Sequence, residues 1–360
     1  PRVARIAAPV GAPSRDPAEK VPGSIGQTGP VRMVAAPDKF RGTASATEVA
    51  DAIGRAAWEA GWRCDEVPMA DGGEGLLEAL GGANRVSTVT GPLGDPVEAP
   101  WRLDRSTAVI EMALASGLTL VGGADGNDPV AASTYGTGEL VNDAVEAGAR
   151  RVIVGVGGSA TTDGGLGALR ALYPLQRLRG VELVVACDVS IGFVDAAERF
   201  APQKGASPAQ VELLRRRLER LAQVYEEEHG IDVRALRGGG AAGGLAGGLA
   251  AAGATLVDGF EVVAEEVGLD EKLEGADLVV TGEGFLDEAS FEGKVVGGVV
   301  ELAGGLGGPV LAVVGRVYDE VHDRVPVVSL VERFGEDRAL HDTASCVTEA
   351  VAAHLATPAP

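Results

Sequence analysis

The sequence is poor in cysteine and in aromatic residues. Its three cysteines, Cys64, Cys187 and Cys346, lie far apart and are odd in number, so they fit neither a disulfide framework nor the spacing of a zinc site. This favours a reducing, cytoplasmic location. Aromatic residues make up only 4% of the 360 residues, whereas there are 53 glycines. We therefore expect tight turns between strands and helices, and helices packed by small residues rather than an aromatic core.

Positive charge and long apolar runs are also scarce. The chain has 31 basic and 52 acidic residues, a net charge of -21, which argues against nucleic acid or an anionic membrane as the main partner. No apolar run reaches the roughly 18 residues of a membrane helix, and no signal peptide with a cleavable apolar core is visible. An anionic ligand must therefore bind to a local cluster of Lys, Arg or backbone N–H groups.

The order of the predicted elements indicates an α/β protein. Short apolar strands alternate with helical patterns along most of the chain, which predicts parallel sheet. Residues 86–89, 97–103 and 107–112 instead follow one another directly and predict an antiparallel or mixed sheet. Residues 238–254 are rich in glycine and alanine, and we interpret them as a glycine turn leading into a closely packed helix rather than as a linker. Residues 1–32 are predicted to be a disordered or foreign extension.

The segment Arg151–Gly167, RVIVGVGGSATTDGGLG, is the centre of the predicted site. It is typical of a strand, a loop and the start of a helix. Its glycines, including Gly157 and Gly158, allow a close approach of the backbone to a ligand, and Ser159, Thr161 and Asp163 add hydroxyls and a carboxylate. The alternative is a purely structural glycine turn capped by Thr162 or Asp163.

Other junctions between a strand and a loop carry charged residues. They supply Asp38, Lys39, Arg41, Asp71, Gly72, Gly73, Glu74, Asp188, Lys204, Glu283, Asp287 and Lys294. Carboxylates, lysines and glycine-rich loops together are typical of phosphoryl transfer: carboxylates hold Mg²⁺, lysines and N–H groups hold phosphates, and one carboxylate accepts the proton of the acceptor hydroxyl. Any one of these charges could instead be structural.

Two other enzyme patterns are weaker. The P-loop pattern is absent, because Val295 follows Lys294 where Ser or Thr is required. Residues 155–160 satisfy the G-x-G-x-x-A form of a nicotinamide-binding loop, but Glu182 begins a predicted strand rather than ending one, as the acidic partner should. A nicotinamide oxidoreductase and a non-catalytic ligand sensor remain alternatives to a kinase.

The same residues carry a resemblance to the bacterial glycerate kinases of the first type. The matching stretches are APDKFRG, PMADGGEG, TGPLGDPVEA, STYGTGELV, GARRVIVGVGGSATTDGG, ACDV, FAPQKGAS, GAAGGLAGGLAA and DLVVTGEGFLDEASFEGK. The resemblance implies ATP-dependent phosphorylation of D-glycerate with Mg²⁺, at the 2-hydroxyl, to give 2-phosphoglycerate. It also implies two unlike α/β domains: a parallel domain formed by residues 33–85 and 255–360, and a mixed-sheet domain, residues 86–254, inserted into it.

The resemblance also implies roles for the junction residues. Asp38, Lys39, Asp188, Asp287 and Lys294 are assigned to catalysis, with Asp188 or Asp287 as the base. Substrate and phosphate binding is assigned to Arg41, Asp71, Gly72, Gly73, Glu74, Gly157, Gly158, Ser159, Thr161 and Lys204. Asp163 and Glu283 are assigned to Mg²⁺.

The chain departs from the family pattern at two of these motifs. It reads PDKFRG where PDSFKG is common, and Phe285 stands where arginine is frequent in GEGR. Loss of a cation could alter the acid-binding pocket. Another small hydroxy acid is therefore the alternative acceptor.

Overall fold

The computed structural model describes residues 31–318, 321 and 323–356. The predicted N-terminal extension lies outside the described residues except for its last two positions, and Arg32 already opens the first strand. The strands are β1 (Arg32–Ala35), β2 (Arg63–Glu66), β3 (Arg85–Thr90), β4 (Pro96–Asp104), β5 (Thr107–Glu111), β6 (Arg151–Gly155), β7 (Glu182–Cys187), β8 (Thr255–Asp258), β9 (Leu278–Thr281), β10 (Phe285–Leu286), β11 (Val310–Val314), β12 (Arg316–Val317) and β13 (Val327–Ser329).

Helices separate most of these strands. They are α1 (Ala46–Glu59), α2 (Leu76–Ala79), α3 (Ala113–Ser116), α4 (Tyr135–Glu146), α5 (Leu166–Leu172), α6 (Ala196–Phe200), α7 (Pro208–His229), α8 (Ala241–Ala251), α9 (Gly259–Val267), α10 (Leu269–Leu273), α11 (Val295–Gly305), α12 (Leu330–Phe334), α13 (Glu336–His341) and α14 (Thr343–Leu355). Within the described residues, no helix is both long and apolar enough to cross a membrane.

The strands form two large sheets. One has five strands in the order β13-β11-β9-β1-β2, and all of its pairings are parallel. The other has six strands in the order β3-β4-β5-β6-β7-β8, of which the first two pairings are antiparallel and the rest parallel. This confirms the predicted α/β fold with one parallel and one mixed sheet. The short strands β10 and β12 pair separately.

Local sequence signals explain the first helix. Ser45 caps α1, because its hydroxyl accepts a hydrogen bond from the Glu48 N–H while the Glu48 carboxylate accepts one from the Ser45 N–H. The buried face of the helix carries Val49, Ile53 and Ala56 at helical spacing. This face belongs to the core formed by α1, α14 and the inner strands of the parallel sheet.

Two predictions about individual elements have different outcomes. The glycine-rich segment does form a helix: α8 is buried along its whole length, and its first turn has left-handed backbone at Ala242, Gly243 and Gly244. The apolar residues at 67 and 69 predict a second strand over residues 66–69, whereas β2 lies at Arg63–Glu66. The prediction was wrong because Val67 and Met69 are buried just beyond the strand, so their apolar pattern does not mark the strand itself.

The two sheets take their strands from different parts of the sequence. The six-stranded sheet takes its strands from residues 85–258, and the five-stranded sheet takes its strands from both sides of that segment. The strand Thr255–Asp258 belongs to the six-stranded sheet, although the predicted boundary places it in the other domain. The chain from Val31 onward forms one compact unit, so the division into two domains stays a prediction.

Candidate active site

Loops that follow strands of both sheets meet in one cleft. The loop after β1 carries Asp38 and Lys39, and the Lys39 Nζ lies 3.3 Å from Asp71 Oδ1 and 3.5 Å from Asp38 Oδ1. Burial raises the pKa of Asp38 to about 6, although Lys39 opposes the shift. Burial disfavours the ammonium of Lys39, but Asp38 and Asp71 outweigh this effect and raise its pKa. Lys39 therefore stays charged and links the loop after β1 to the loop after β2, which carries Asp71.

The second loop, which follows β2 and carries Asp71–Glu74, contacts the central loop, which follows β6 and carries Gly157–Asp163. The two loops touch through their backbones. A Cβ added at Gly157 would lie 2.9 Å from the Gly73 Cα, and one at Gly72 would lie 2.8 Å from the Gly259 Cα. These distances are too short for any side chain, and Gly72 also has φ +87°, a conformation that favours glycine. Glycine at these positions brings the second loop of the five-stranded sheet against the six-stranded sheet.

Asp188 occupies the junction of two cavities. A cavity of about 630 Å³, here called the central cavity, is lined by Arg41, Gly157, Gly158, Ser159, Asp188 and Lys204, among others. A neighbouring side cavity of about 480 Å³ is lined by Asp188, Arg237, Asp258, Glu261 and Lys294, among others. Desolvation and the nearby carboxylate of Asp71 raise the pKa of Asp188, while Lys294 and Lys39 act in the opposite direction. Asp188 can therefore reach ligands bound in either cavity.

The loop after β9 adds two further carboxylates. Burial raises the pKa of Glu283 to about 7, with Lys294 opposing and Asp38 and Asp287 reinforcing the shift. The buried Glu283 Oε1 has no hydrogen-bond partner among the described residues. Asp287 differs, because its Oδ1 accepts hydrogen bonds from the N–H and hydroxyl of Ser290 and caps a short 3-10 helix. Lys294 is the N-cap residue of α11.

Lys204 lies under the central loop. Its Nζ donates hydrogen bonds to Ser159 Oγ and to the Thr161 carbonyl, both at 2.6 Å. The side chain is almost fully buried, and this burial lowers its pKa to about 7, against the effect of Asp163. The structure thus places Ser159, Thr161 and Lys204 together, and Ser159 and Lys204 line the central cavity.

Asp163 lines neither the central cavity nor the side cavity. Its two oxygens accept hydrogen bonds from the N–H and hydroxyl of Thr134 and from the N–H groups of Gly165 and Gly167. These donors lie at the starts of α4 and α5. With both oxygens already used, Asp163 is suited to hold these two helices in place, and this arrangement favours a structural role over the predicted metal ligation.

Several charged residues near the site were not predicted from the sequence, among them Asp258 and Glu261 of the side cavity, and two others show why. Glu111, at the end of β5, is buried and accepts hydrogen bonds from the N–H groups of Gly75 and Leu77, so it fixes the start of α2. A carboxylate at the end of a strand is the pattern by which the other site residues were predicted, so Glu111 could have been identified in the same way. Arg237 lines the side cavity but lies in an irregular segment between α7 and α8, where no local pattern distinguishes it from surface arginines.

The described residues contain no cluster of three His, Cys, Asp or Glu side chains that could hold a metal ion by themselves. Protein sites for Mg²⁺ in phosphoryl transfer often use one or two carboxylates together with waters and substrate phosphates. Glu283, with an oxygen that has no protein partner, has the properties of such a ligand.

Comparisons with known proteins agree with this chemistry. The family model described as "Glycerate kinase family" matches residues 33–173 and 174–357. The chain is 39% identical over 336 residues to a protein of Escherichia coli strain K12 named glycerate 2-kinase, covering 81% of this chain and 87% of that protein. It is 38% identical over 327 residues to the glycerate kinase of Bacillus subtilis strain 168, covering 80% and 85% of the two chains.

A solved structure is also similar. The crystal structure of putative glycerate kinase 2 from Salmonella typhimurium LT2 superposes with a TM-score of 0.78 at 34% sequence identity. The match covers 91% of this chain and 98% of that one. The similarity therefore extends over both sheets and the cleft.

Proposed function

The chain belongs to the glycerate kinase family, and from this premise we propose that it transfers the γ-phosphoryl group of ATP to the 2-hydroxyl of D-glycerate, giving 2-phosphoglycerate and ADP. The name of the Escherichia coli relative, glycerate 2-kinase, supports the choice of the 2-hydroxyl. The family match favours kinase chemistry over the nicotinamide alternative.

The observation that carries this proposal is the convergence of charge on the cleft. Lys39 and Lys294 lie close enough to Asp188 to influence its pKa, as does Asp71. These groups come from four separate loops, and Gly157 and Gly158 of the loop after β6 line the central cavity together with Asp188. Cations and N–H groups stabilise the charge on a transferring phosphoryl group, while a carboxylate accepts the proton of the attacking hydroxyl.

Asp188 is the carboxylate best placed to accept that proton. It lines both cavities, so the acceptor acid in one and the nucleotide phosphates in the other would both be within its reach. Its raised pKa brings it closer to neutral pH, where a general base is most effective. Asp287 fits this role less well because its Oδ1 already caps a helix.

Magnesium fits Glu283 better than Asp163. Glu283 offers a buried oxygen without a protein partner and lies near Asp38, whereas both Asp163 oxygens are occupied by hydrogen bonds. When bound with ATP, Mg²⁺ supplies positive charge to the phosphate oxygens. Glu283, with Asp38 beside it, would hold the ion.

Replacing Glu283 with glutamine is expected to raise the Mg²⁺ concentration required for half-maximal activity by about tenfold or more, because a carboxylate ligand becomes a weaker amide ligand. The measurement is ADP release against Mg²⁺ concentration at saturating ATP. Glu301→Gln removes an equal charge from an exposed position on α11 and should leave the Mg²⁺ dependence unchanged. Equal Mg²⁺ curves for Glu283→Gln and the unmodified protein would contradict the assignment.

The proposed function is tested by ADP release from the purified protein with Mg-ATP and D-glycerate. L-glycerate, tartronate and glycolate serve as controls, and the phosphorylated position is identified by ³¹P NMR of the product. Turnover specific to D-glycerate with 2-phosphoglycerate as product supports the proposal. Turnover only on another hydroxy acid would keep the kinase chemistry and change the substrate, and no turnover on any of them would overturn the proposal.

A further inference from the structure

Lys204 is a buried lysine without a counter-ion. The side chain is only 3% exposed, and no carboxylate of the described residues forms an ion pair with it. Two of the three N–H groups of its ammonium are used by Ser159 and Thr161, and no acceptor among the described residues takes the third. A buried charge without a partner is costly, so an anion that enters the central cavity would find a strong binding group there.

The other charged groups around Lys204 do not supply that partner. Asp163 is the acid that acts on it electrostatically, but its oxygens bind backbone groups at the starts of α4 and α5. Asp188 and Arg41 line the same cavity from the loops after β7 and β1. Arg41 is exposed and, as an arginine, stays charged at any ordinary pH, so it could bind an anion without any change in protonation.

We propose, building on the proposed function, that Lys204 is the counter-ion of the carboxylate of the acceptor acid and that the protein takes up a proton from solvent when the acid binds. The carboxylate completes the set of hydrogen bonds around the ammonium and stabilises its charged form. The neutral amine of the free protein becomes the ammonium of the complex. Ser159 and the Thr161 carbonyl orient the Nζ toward this task.

The direction of the pH dependence follows from burial. With the pKa of Lys204 lowered to about 7 in the free protein, about half of the amines are neutral at pH 7 and most are neutral at pH 8. A bound carboxylate raises that pKa. Proton uptake should therefore be small near pH 6 and approach one proton per acid near pH 8, while the affinity for the acid falls about tenfold per pH unit above pH 7.

Isothermal titration calorimetry of the unmodified protein with D-glycerate tests this directly. Titrations near pH 8 in two buffers with different ionisation enthalpies should give different observed enthalpies, and the difference should correspond to uptake of about one proton. D-glyceramide, which has no carboxylate, should bind without proton uptake. Because these measurements need no substitution, they do not depend on whether a variant folds.

Two variants distinguish the contribution of Lys204 to acid binding and proton uptake from that of Arg41. Lys204→Met should raise the KM for D-glycerate on the order of 100-fold and abolish proton uptake. Arg41→Met, a substitution of the same kind in the same cavity, should retain the uptake even if it weakens binding.

The outcomes distinguish the inference from the function it builds on. Turnover of D-glycerate with a buffer-independent binding enthalpy, or with uptake lost in Arg41→Met but kept in Lys204→Met, overturns the inference alone. Absence of both binding and turnover of D-glycerate in the unmodified protein overturns the proposed function and the inference with it. A binding enthalpy that depends on the buffer in the unmodified protein but not in Lys204→Met supports both the proposed function and the inference.

Discussion

Replacing Asp188 with asparagine is expected to lower kcat at least about 100-fold, because general-base catalysis of this kind typically contributes a factor of 10² to 10⁴. The amide cannot accept the proton of the acceptor hydroxyl, yet it has nearly the same shape as the carboxylate. Asp188 is exposed to the cavities, so the variant should fold normally. The measurement is kcat at saturating ATP, Mg²⁺ and D-glycerate.

The Mg²⁺ dependence of the same variant shows whether Asp188 acts as a base. It should match that of the unmodified protein, whereas loss of a metal ligand would shift it to higher concentrations. Asp270→Asn, at an exposed position in α10, is the matched control and should keep full activity. Asp287→Asn should have a smaller effect than Asp188→Asn, and an Asp188→Asn protein with normal kcat would show that the base lies elsewhere.

Replacing Asp163 with alanine is expected to lower the free energy of unfolding by about 3 kcal/mol or more. The change removes the acceptor for Thr134, Gly165 and Gly167 at once, and each buried donor left without a partner costs about 1–3 kcal/mol. Urea unfolding followed by circular dichroism measures the change. If Asp163 were instead a metal ligand, the variant would keep its stability without Mg²⁺ and show a changed Mg²⁺ dependence.

Asp128→Ala provides the comparison for Asp163. Asp128 is exposed, and its Oδ1 accepts hydrogen bonds from the N–H groups of Val130 and Ala131. It therefore also holds a turn, but at the surface, where water can replace the lost acceptor. Its loss should cost about 1 kcal/mol. Similar destabilisation by the two substitutions would contradict the bracing role of Asp163.

The parts of the fold that could be predicted are those where local pattern and burial agree. Strands β1, β6, β7 and β9 are short apolar runs that end at a charged or glycine-rich loop, so each could be predicted from the sequence. Strand β2 could not, because its residues are largely exposed at the sheet edge. The apolar residues that follow it, Val67 and Met69, are buried in a hydrophobic core with side chains of distant helices and strands, which the local sequence does not encode.

The site was predictable as a group but not residue by residue. The loops after parallel strands bring Asp71 into electrostatic reach of both Asp38 and Asp188, and Lys294 into reach of Asp188, as the positions of these residues after strands lead one to expect. The sequence could not distinguish Asp163, four residues beyond Ser159, because its partner Thr134 lies 29 residues away along the chain. A carboxylate that braces helices and one that holds a ligand look alike until such distant donors are located.

The order of the strands also determines when the cleft can form as the chain is synthesised. All strands of the six-stranded sheet have been made once the ribosome passes Asp258. Strand β1 must wait much longer for β9, because the hydrogen bond from the Arg32 N–H to Asp277, which immediately precedes β9, joins residues 245 positions apart. Glu283 and Lys294 emerge later still. A nascent chain can thus fold its mixed sheet early, but it gains the complete set of phosphate-handling groups only after Lys294 has been made.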